Sequence, residues 1–168
     1  MKNNFHLKDL ENDLKYFLII FLATLGIGIF VGLSYVYLTT EMTPTGTVDR
    51  FNGSEVLENE IPEEFPKPIE SMVLTTHDHV LNFAMISFLI GIIFYFNSQI
   101  IGRMKLFLMI EPFISTIITF GSLWLMRYTN DIFIYLVILS AIAMHICWYV
   151  MIGTCILELI KKNGSLKS

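Results

Sequence analysis

The sequence predicts an all-α integral membrane protein, a bundle of four transmembrane helices. Of its 168 residues, 54% are hydrophobic and only 15% are charged, whereas soluble domains carry roughly 25% charged residues. The mean hydropathy is +0.63. A water-soluble domain of about 150 residues still exposes about a third of its unfolded surface, so the lipid bilayer must supply the missing burial.

Four apolar stretches are each long enough to cross a hydrocarbon core of about 30 Å, which takes about 20 helical residues. The first lacks formal charge, the second is uncharged from Val80 onward, the third is interrupted only by Glu111 and Pro112, and the fourth is uncharged from Ile132 to Leu157. Backbone groups in lipid must be satisfied within their own segment, so each stretch is predicted to be a helix. The predicted spans are residues 16–38, 71–97, 106–126 and 132–158.

Lysine and arginine predict the orientation, because these residues near span ends are retained on the cytoplasmic side. Eight of them fall on one side, leaving Arg50, Lys67 and Arg127 on the other. Residues 1–15, 98–105 and 159–168, with both termini, are therefore predicted to be cytoplasmic, and we expect the bacterial cytoplasmic (inner) membrane. The eight are Lys2, Lys8, Lys15, Arg103, Lys105, Lys161, Lys162 and Lys167.

Two connections are predicted on the extracytoplasmic side: residues 39–70, which are strongly acidic, and a short turn at 127–131. Prolines and glycines predict turns and extended stretches in the longer one. A connection of this length is usually functional or disordered, so we expect either a docking surface for an extracytoplasmic partner or a solvated linker. Its acids are Glu41, Asp49, Glu55, Glu58, Glu60, Glu63, Glu64 and Glu70.

Small and weakly polar residues mark the predicted packing surfaces. Gly28 and Gly32 form a Gly-x-x-x-Gly pair, which lets two helices approach closely in lipid. The approaching helix could belong to this chain or to another subunit, including a second copy. Polar stripes in the third and fourth spans should face protein, because hydroxyl and carboxyl groups in hydrocarbon need partners. The stripes are Glu111, Ser115, Thr119 and Ser122, and Ser140, Met144, Cys147, Met151, Thr154 and Glu158.

Ionisable side chains inside the spans are the candidates for chemistry, because they are costly in lipid and are functional candidates by default. They are His77, Asp78, His79, Glu111 and His145. At 1.5 Å of rise per residue, Glu111 and His145 lie at similar depth and can meet, whereas His79 lies roughly 8 Å nearer the outer surface.

The first functional hypothesis is a b-type haem ligated by His145 and by His79 or His77, because bundle cores commonly hold cofactors between facing helices. The His77-x-His79 pair at the mouth of a span resembles the haem-ligating helices of membrane cytochromes and haem-copper oxidases. On a helix these two side chains project about 200° apart and cannot chelate one ion. In an extended segment they point the same way, and with Asp78 they could form half of a metal site.

Two further hypotheses need no cofactor. Glu111, His145 and His79, with Asp78, form a staggered series of titratable groups that predicts a proton relay or transport subunit. Alternatively, the protein is a structural accessory subunit that packs beside a larger membrane complex. We expect a subunit of a redox or energy-coupling assembly.

Other functions are excluded or disfavoured by what the chain lacks. The sequence has no nucleophile-base constellation, P-loop or dinucleotide fingerprint, so we expect no stand-alone catalytic activity. The net charge of −4, without a basic cluster, excludes a nucleic-acid partner.

Overall fold

The computed structural model describes residues 5–55 and 61–161. Four of the helices in this part of the chain are long and apolar enough to cross a membrane, which confirms the predicted all-helical fold with four spans. The helices are α1 (Asn12–Thr40), α2 (Pro44–Asn52), α3 (Ile69–Tyr95), α4 (Gly102–Tyr128) and α5 (Ile134–Leu159).

Some sequence predictions concern residues or quantities that this structure does not test. Lys2, Lys162 and Lys167 of the orientation argument, and Glu58 and Glu60 of the acidic connection, lie outside the described residues. The orientation therefore stays a prediction. Helix bounds differ from membrane boundaries, so the bounds of the four predicted spans stay predictions as well.

The chain before the first predicted span folds onto the bundle. A short 3-10 turn at Leu7–Asp9 precedes α1, and the Leu7 N–H donates a hydrogen bond to the Phe96 carbonyl at 3.1 Å. Helix α1 then begins at Asn12. The segment therefore lengthens the first helix and also packs against the end of α3.

The prediction of turns and extended stretches throughout 39–70 is wrong at 44–52, which form helix α2. Pro44 occupies the first helical turn, where the missing proline N–H costs nothing. The Thr43 hydroxyl oxygen caps the helix by accepting a hydrogen bond from the Gly46 N–H at 3.0 Å. A Cβ on residue 46 would lie 2.3 Å from the Thr40 carbonyl oxygen, so only glycine fits there.

The packed core lies among α3, α4 and α5, and α1 lies at its edge. Phe94 and Met151 are fully buried, and Trp148 is nearly so. In the most apolar stretch of α4, 44% of residues are buried, against 11% in α1. The outward faces are apolar, as contact with lipid requires.

Candidate functional site

Interhelical hydrogen bonds define the positions of His79 and His145 relative to each other along the bundle. The Trp124 indole N–H donates to the Thr76 hydroxyl at 2.8 Å, so His79 lies about level with position 121 of antiparallel α4. The Thr119 and Ser140 hydroxyls are 2.7 Å apart, so His145 lies about level with position 114. Seven residues separate these levels, which is about 10 Å along the helix axis.

A polar seam runs along the interface of α4 and α5. It consists of Ser115, Thr116, Thr119, Ser140 and Met144, all of them buried. Thr119 and Ser140 share a hydrogen bond, and the Thr116 hydroxyl donates to the Met144 sulfur at 3.3 Å. The prediction that the two stripes face protein is confirmed at Ser115, Thr119, Ser140 and Met144, and Thr116 was not part of either predicted stripe.

Glu111 lies at one end of the polar seam. The Ser115 hydroxyl donates to its Oε1, and the Cys147 thiol of α5 lies beside the carboxyl group. Its Oε2 atom is buried and has no hydrogen-bond partner within residues 5–55 and 61–161. Because a carboxyl group within a membrane helix is costly, this unpartnered oxygen makes Glu111 a candidate for chemistry at the end of the seam.

The structure gives Glu111 and His145 different neighbours. His145 lies about three residues along α5 from the level of Glu111, a depth difference of about 5 Å. Its ring packs against Trp148 with centroids 5.3 Å apart, whereas Glu111 contacts Ser115 and Cys147. Glu111 and His145 therefore lie at similar depth but contact different side chains.

Both histidine rings have one nitrogen held by the backbone of their own helix. The His79 Nδ1 lies 2.8 Å from the Thr75 carbonyl oxygen, and the His145 Nδ1 lies 2.7 Å from that of Ala141. A carbonyl oxygen can only accept, so Nδ1 must donate in each ring. In the neutral ring this leaves the lone pair on Nε2, the arrangement that suits a metal ligand or a proton acceptor.

A chain of aromatic contacts connects the two histidines. His79 meets Phe83 at 5.5 Å between ring centroids, Phe83 meets Trp148 at 5.2 Å, and Trp148 meets His145. Ligation of one haem by both histidines would require these side chains to rearrange and the depth difference of about 10 Å to close. The tautomers fit haem ligation and the spacing does not, so haem stays a prediction.

His77 and Asp78 lie on the exposed surface of α3, with Nδ1 of His77 3.2 Å from Oδ1 of Asp78. Residues 69–95 are helical, so the extended conformation that a shared metal site on His77 and His79 needs is not the observed one. The ring of His79 contacts Phe83 of its own helix and Phe120 of α4, although the residue as a whole is exposed.

A second polar cluster, the loop anchor, includes Glu158, which the sequence analysis predicted to face protein, but its hydrogen-bond partners were missed. It fastens the turn between α3 and α4 to the end of α5. The Ser98 N–H and hydroxyl donate to the two carboxyl oxygens of Glu158 at 2.6 and 2.9 Å. The Asn97 side-chain amide donates to the Thr154 carbonyl at 3.0 Å, and the Lys105 ammonium donates to the Asn97 carbonyl at 2.6 Å. Glu158 and Asn97 are fully buried. Polar residues just beyond two antiparallel apolar runs were the signal available.

Within the described part of the acidic connection, helix α2 is bonded to the segment that precedes α3. One Arg50 nitrogen donates to both carboxyl oxygens of Glu64 at 2.7 and 3.0 Å. Burial lowers the pKa of Arg50, but hydrogen bonds with Tyr35 and Glu64 raise it by more, so the pKa lies above its ordinary value. The ion pair therefore holds α2 to the segment that leads into α3.

Comparison with known proteins gives one result. Residues 41–166 match the family model Aq_1264_TM, a transmembrane helical domain, and so account for 126 of the 168 residues. The chain belongs to this family. It is a small polytopic integral membrane protein in contact with the lipid bilayer. Searches of curated proteins and of solved structures give no match.

Helix α1, which precedes the Aq_1264_TM match, carries the predicted glycine pair. Gly28 and Gly32 are exposed, and a Cβ built on either would have no heavy atom within 4 Å apart from its own local backbone. Gly26, on another side of α1, approaches α5 instead, where its carbonyl accepts a hydrogen bond from the Tyr149 hydroxyl at 3.2 Å. The surface formed by Gly28 and Gly32, the glycine face, is thus open in the isolated chain.

Proposed function

We propose that this protein is an associating subunit of a membrane assembly, in which α1 packs against a transmembrane helix of another subunit. The observation that supports this function is the open glycine face of Gly28 and Gly32. Small residues four apart let helix backbones approach closely in lipid, where dispersion and interhelical hydrogen bonds drive association. The light burial of α1 within the chain leaves this side available.

The proposal includes a location and an orientation. Both termini lie in the cytoplasm and the connection at 39–70 lies outside, because lysine and arginine cluster at one end of the spans. The membrane is a bacterial inner membrane, and the assembly is of the redox or energy-coupling class. The ionisable groups within the spans support that class, since such groups mark ion and proton pathways.

The association is tested by substitution of the glycine face. Gly28→Leu and Gly32→Leu should abolish co-purification with the other subunit after mild detergent extraction, because the leucine side chains hold the helices apart. Gly121→Leu is the matched control: this glycine is also helical, exposed and open, and the change should leave association intact. Two differently tagged copies of the chain, expressed together, will establish whether the other subunit is a second copy.

The association is refuted if Gly28→Leu and Gly32→Leu retain every co-purifying subunit of the wild type. Circular dichroism must show that both variants keep the helical content of the wild type. Equal losses in these variants and in Gly121→Leu would also contradict the proposal, because the effect would then not be specific to α1.

A second function, proton relay, is supported by the surroundings of Glu111. This carboxyl group accepts a hydrogen bond from Ser115 and has one buried oxygen without a partner in the described part of the chain. The hydroxyls of the polar seam extend from it along the bundle. A proton could pass along such hydroxyls by exchange of hydrogen bonds.

The relay is tested in vesicles that contain the purified assembly and a pH-sensitive dye. Glu111→Gln keeps the size of the side chain and an acceptor for Ser115 but cannot release a proton, so proton uptake should stop while the assembly stays intact. Glu70→Gln, at the start of α3 outside the seam, is the control. Unchanged proton uptake in Glu111→Gln would exclude Glu111 from the path.

A further inference from the structure

A polar pocket lies where α4 turns into α5, at the end of the bundle that carries α2. This turn pocket has a volume of about 400 Å³ and is lined by Asn52 and by residues 126–131. Its residues belong to neither the polar seam nor the glycine face, so its role is independent of the proposed association and relay.

The turn pocket presents one group of each charge. Arg127 and Asp131 both line it. The Arg127 Nε and Nη2 both donate to the Lys67 carbonyl at 3.4 Å, which are long bonds, and a guanidinium has five N–H donors in all. The Asn52 side-chain amide donates to Oδ1 of Asp131 at 2.7 Å, which holds the carboxylate in place. The pocket lining therefore includes both guanidinium donors and a carboxylate.

The pocket also contains an acceptor that lacks a donor. The Oδ1 atom of Asn52 is buried and has no hydrogen-bond partner in the part of the chain that the structure describes. A buried acceptor without a partner is unfavourable. A ligand that brings N–H groups to Asp131 would pair with its carboxylate, and a shift of the Asn52 side chain on binding would bring Oδ1 within reach of the same donors.

The position of the pocket indicates the source of its ligand. Trp124 and Tyr128 pack together with ring centroids 5.5 Å apart, next to the pocket. Trp and Tyr are enriched where lipid headgroups meet water. An aromatic pair beside the turn pocket is therefore what a position at the level of the headgroups predicts.

We propose that the turn pocket binds an ammonium-phosphate zwitterion, the headgroup chemistry of phosphatidylethanolamine. The phosphate pairs with Arg127, whose planar guanidinium matches phosphate oxygens. The ammonium, with its three N–H donors, bonds to the carboxylate of Asp131. Soluble phosphoethanolamine has the same two groups, so the experiment separates the lipid from the free compound.

The test compares phosphatidylethanolamine with phosphatidylcholine, which has the same phosphate but no N–H donor. Both lipids are titrated onto the full-length protein in detergent and counted by native mass spectrometry. Phosphatidylethanolamine should bind about tenfold more tightly, the effect expected of a hydrogen bond to a charged group. Asp131→Asn should reduce this preference to about one, whereas Asp49→Asn on α2, whose residue does not line the pocket, should leave it unchanged.

A second variant tests the phosphate contact separately from the ammonium contact. Arg127→Gln should weaken both lipids by the same factor and keep their ratio, because both contain the phosphate. Competition with soluble phosphoethanolamine identifies the source: displacement of the lipid indicates a pocket open to free compounds, and no displacement at millimolar concentration indicates the lipid headgroup. Equal binding of the two lipids to the wild type, or a preference that survives Asp131→Asn in a folded variant, would overturn the proposal.

Discussion

The loop anchor predicts that Glu158→Ala destabilises the protein although the residue is at the end of the last helix. Glu158 is fully buried, and its carboxyl oxygens accept hydrogen bonds from the N–H and the hydroxyl of Ser98. Alanine removes both acceptors at once. The turn between α3 and α4 then loses a contact with α5.

The size of the effect follows from these two bonds. Hydrogen bonds to a carboxylate contribute about 1.5 to 3 kcal/mol each, but Ser98 is only partly buried and water can replace part of the loss. We expect Glu158→Ala to lower the free energy of unfolding by about 2 to 3 kcal/mol. Glu158→Gln keeps one acceptor oxygen and should lose about half as much.

The assay is reversible unfolding in mixed micelles, followed by tryptophan fluorescence. A double-mutant cycle with Ser98→Ala isolates the contact and should give a coupling energy of about 1 kcal/mol or more, because residues in one hydrogen-bond network do not behave additively. The reasoning is refuted if Glu158→Ala unfolds at the same midpoint as the wild type, or if the two substitutions add independently.

Three more outcomes are expected. Trp148→Phe keeps the ring contacts but loses the indole hydrogen bond, and should lower the free energy of unfolding by about 1 to 3 kcal/mol. The matched change Trp124→Phe, at a less buried site, should lower it by less, and equal losses would contradict the deeper burial of Trp148. The pKa of Arg50 is raised, so its stabilising charge is fully present below the ordinary arginine pKa and is lost only as the pH rises above that pKa. The difference in unfolding free energy between wild type and Arg50→Gln should therefore stay constant from about pH 7 to about pH 10. If haem is bound, the purified protein shows a Soret band that shifts on reduction and is absent in His145→Ala, whereas a colourless wild type removes the haem hypothesis.

The long helices could be predicted because lipid imposes a simple rule on sequence. An apolar run of about 20 residues must be helical, and side chains at helical spacing then share a face. Ser115 and Thr119, which follow that spacing, are buried as predicted. Helix α2 was missed because Pro44 and Gly46 were counted as helix breakers, whereas Pro44 begins the helix and Gly46 lies within hydrogen-bond reach of its cap.

The side-chain contacts of the site were less predictable, because depth is only one of two coordinates on a helix. Counting residues placed Glu111 and His145 at similar depth, but rotation about the axis brings Cys147 to Glu111 and leaves His145 against Trp148. The hydrogen bond between Ser98 and Glu158 joins residues 60 positions apart, and the spacing of side chains along a helix does not predict such a pair.

The boundary between α1 and the rest of the chain has an evolutionary consequence. Helix α1 ends at Thr40, and the family match begins at residue 41. The least buried of the four long helices thus coincides with the part outside the shared domain. Mutations can accumulate on its outer side without disturbing the interior of the other three spans. Among homologues, the binding partners of α1 should therefore change faster than the fold of the shared domain.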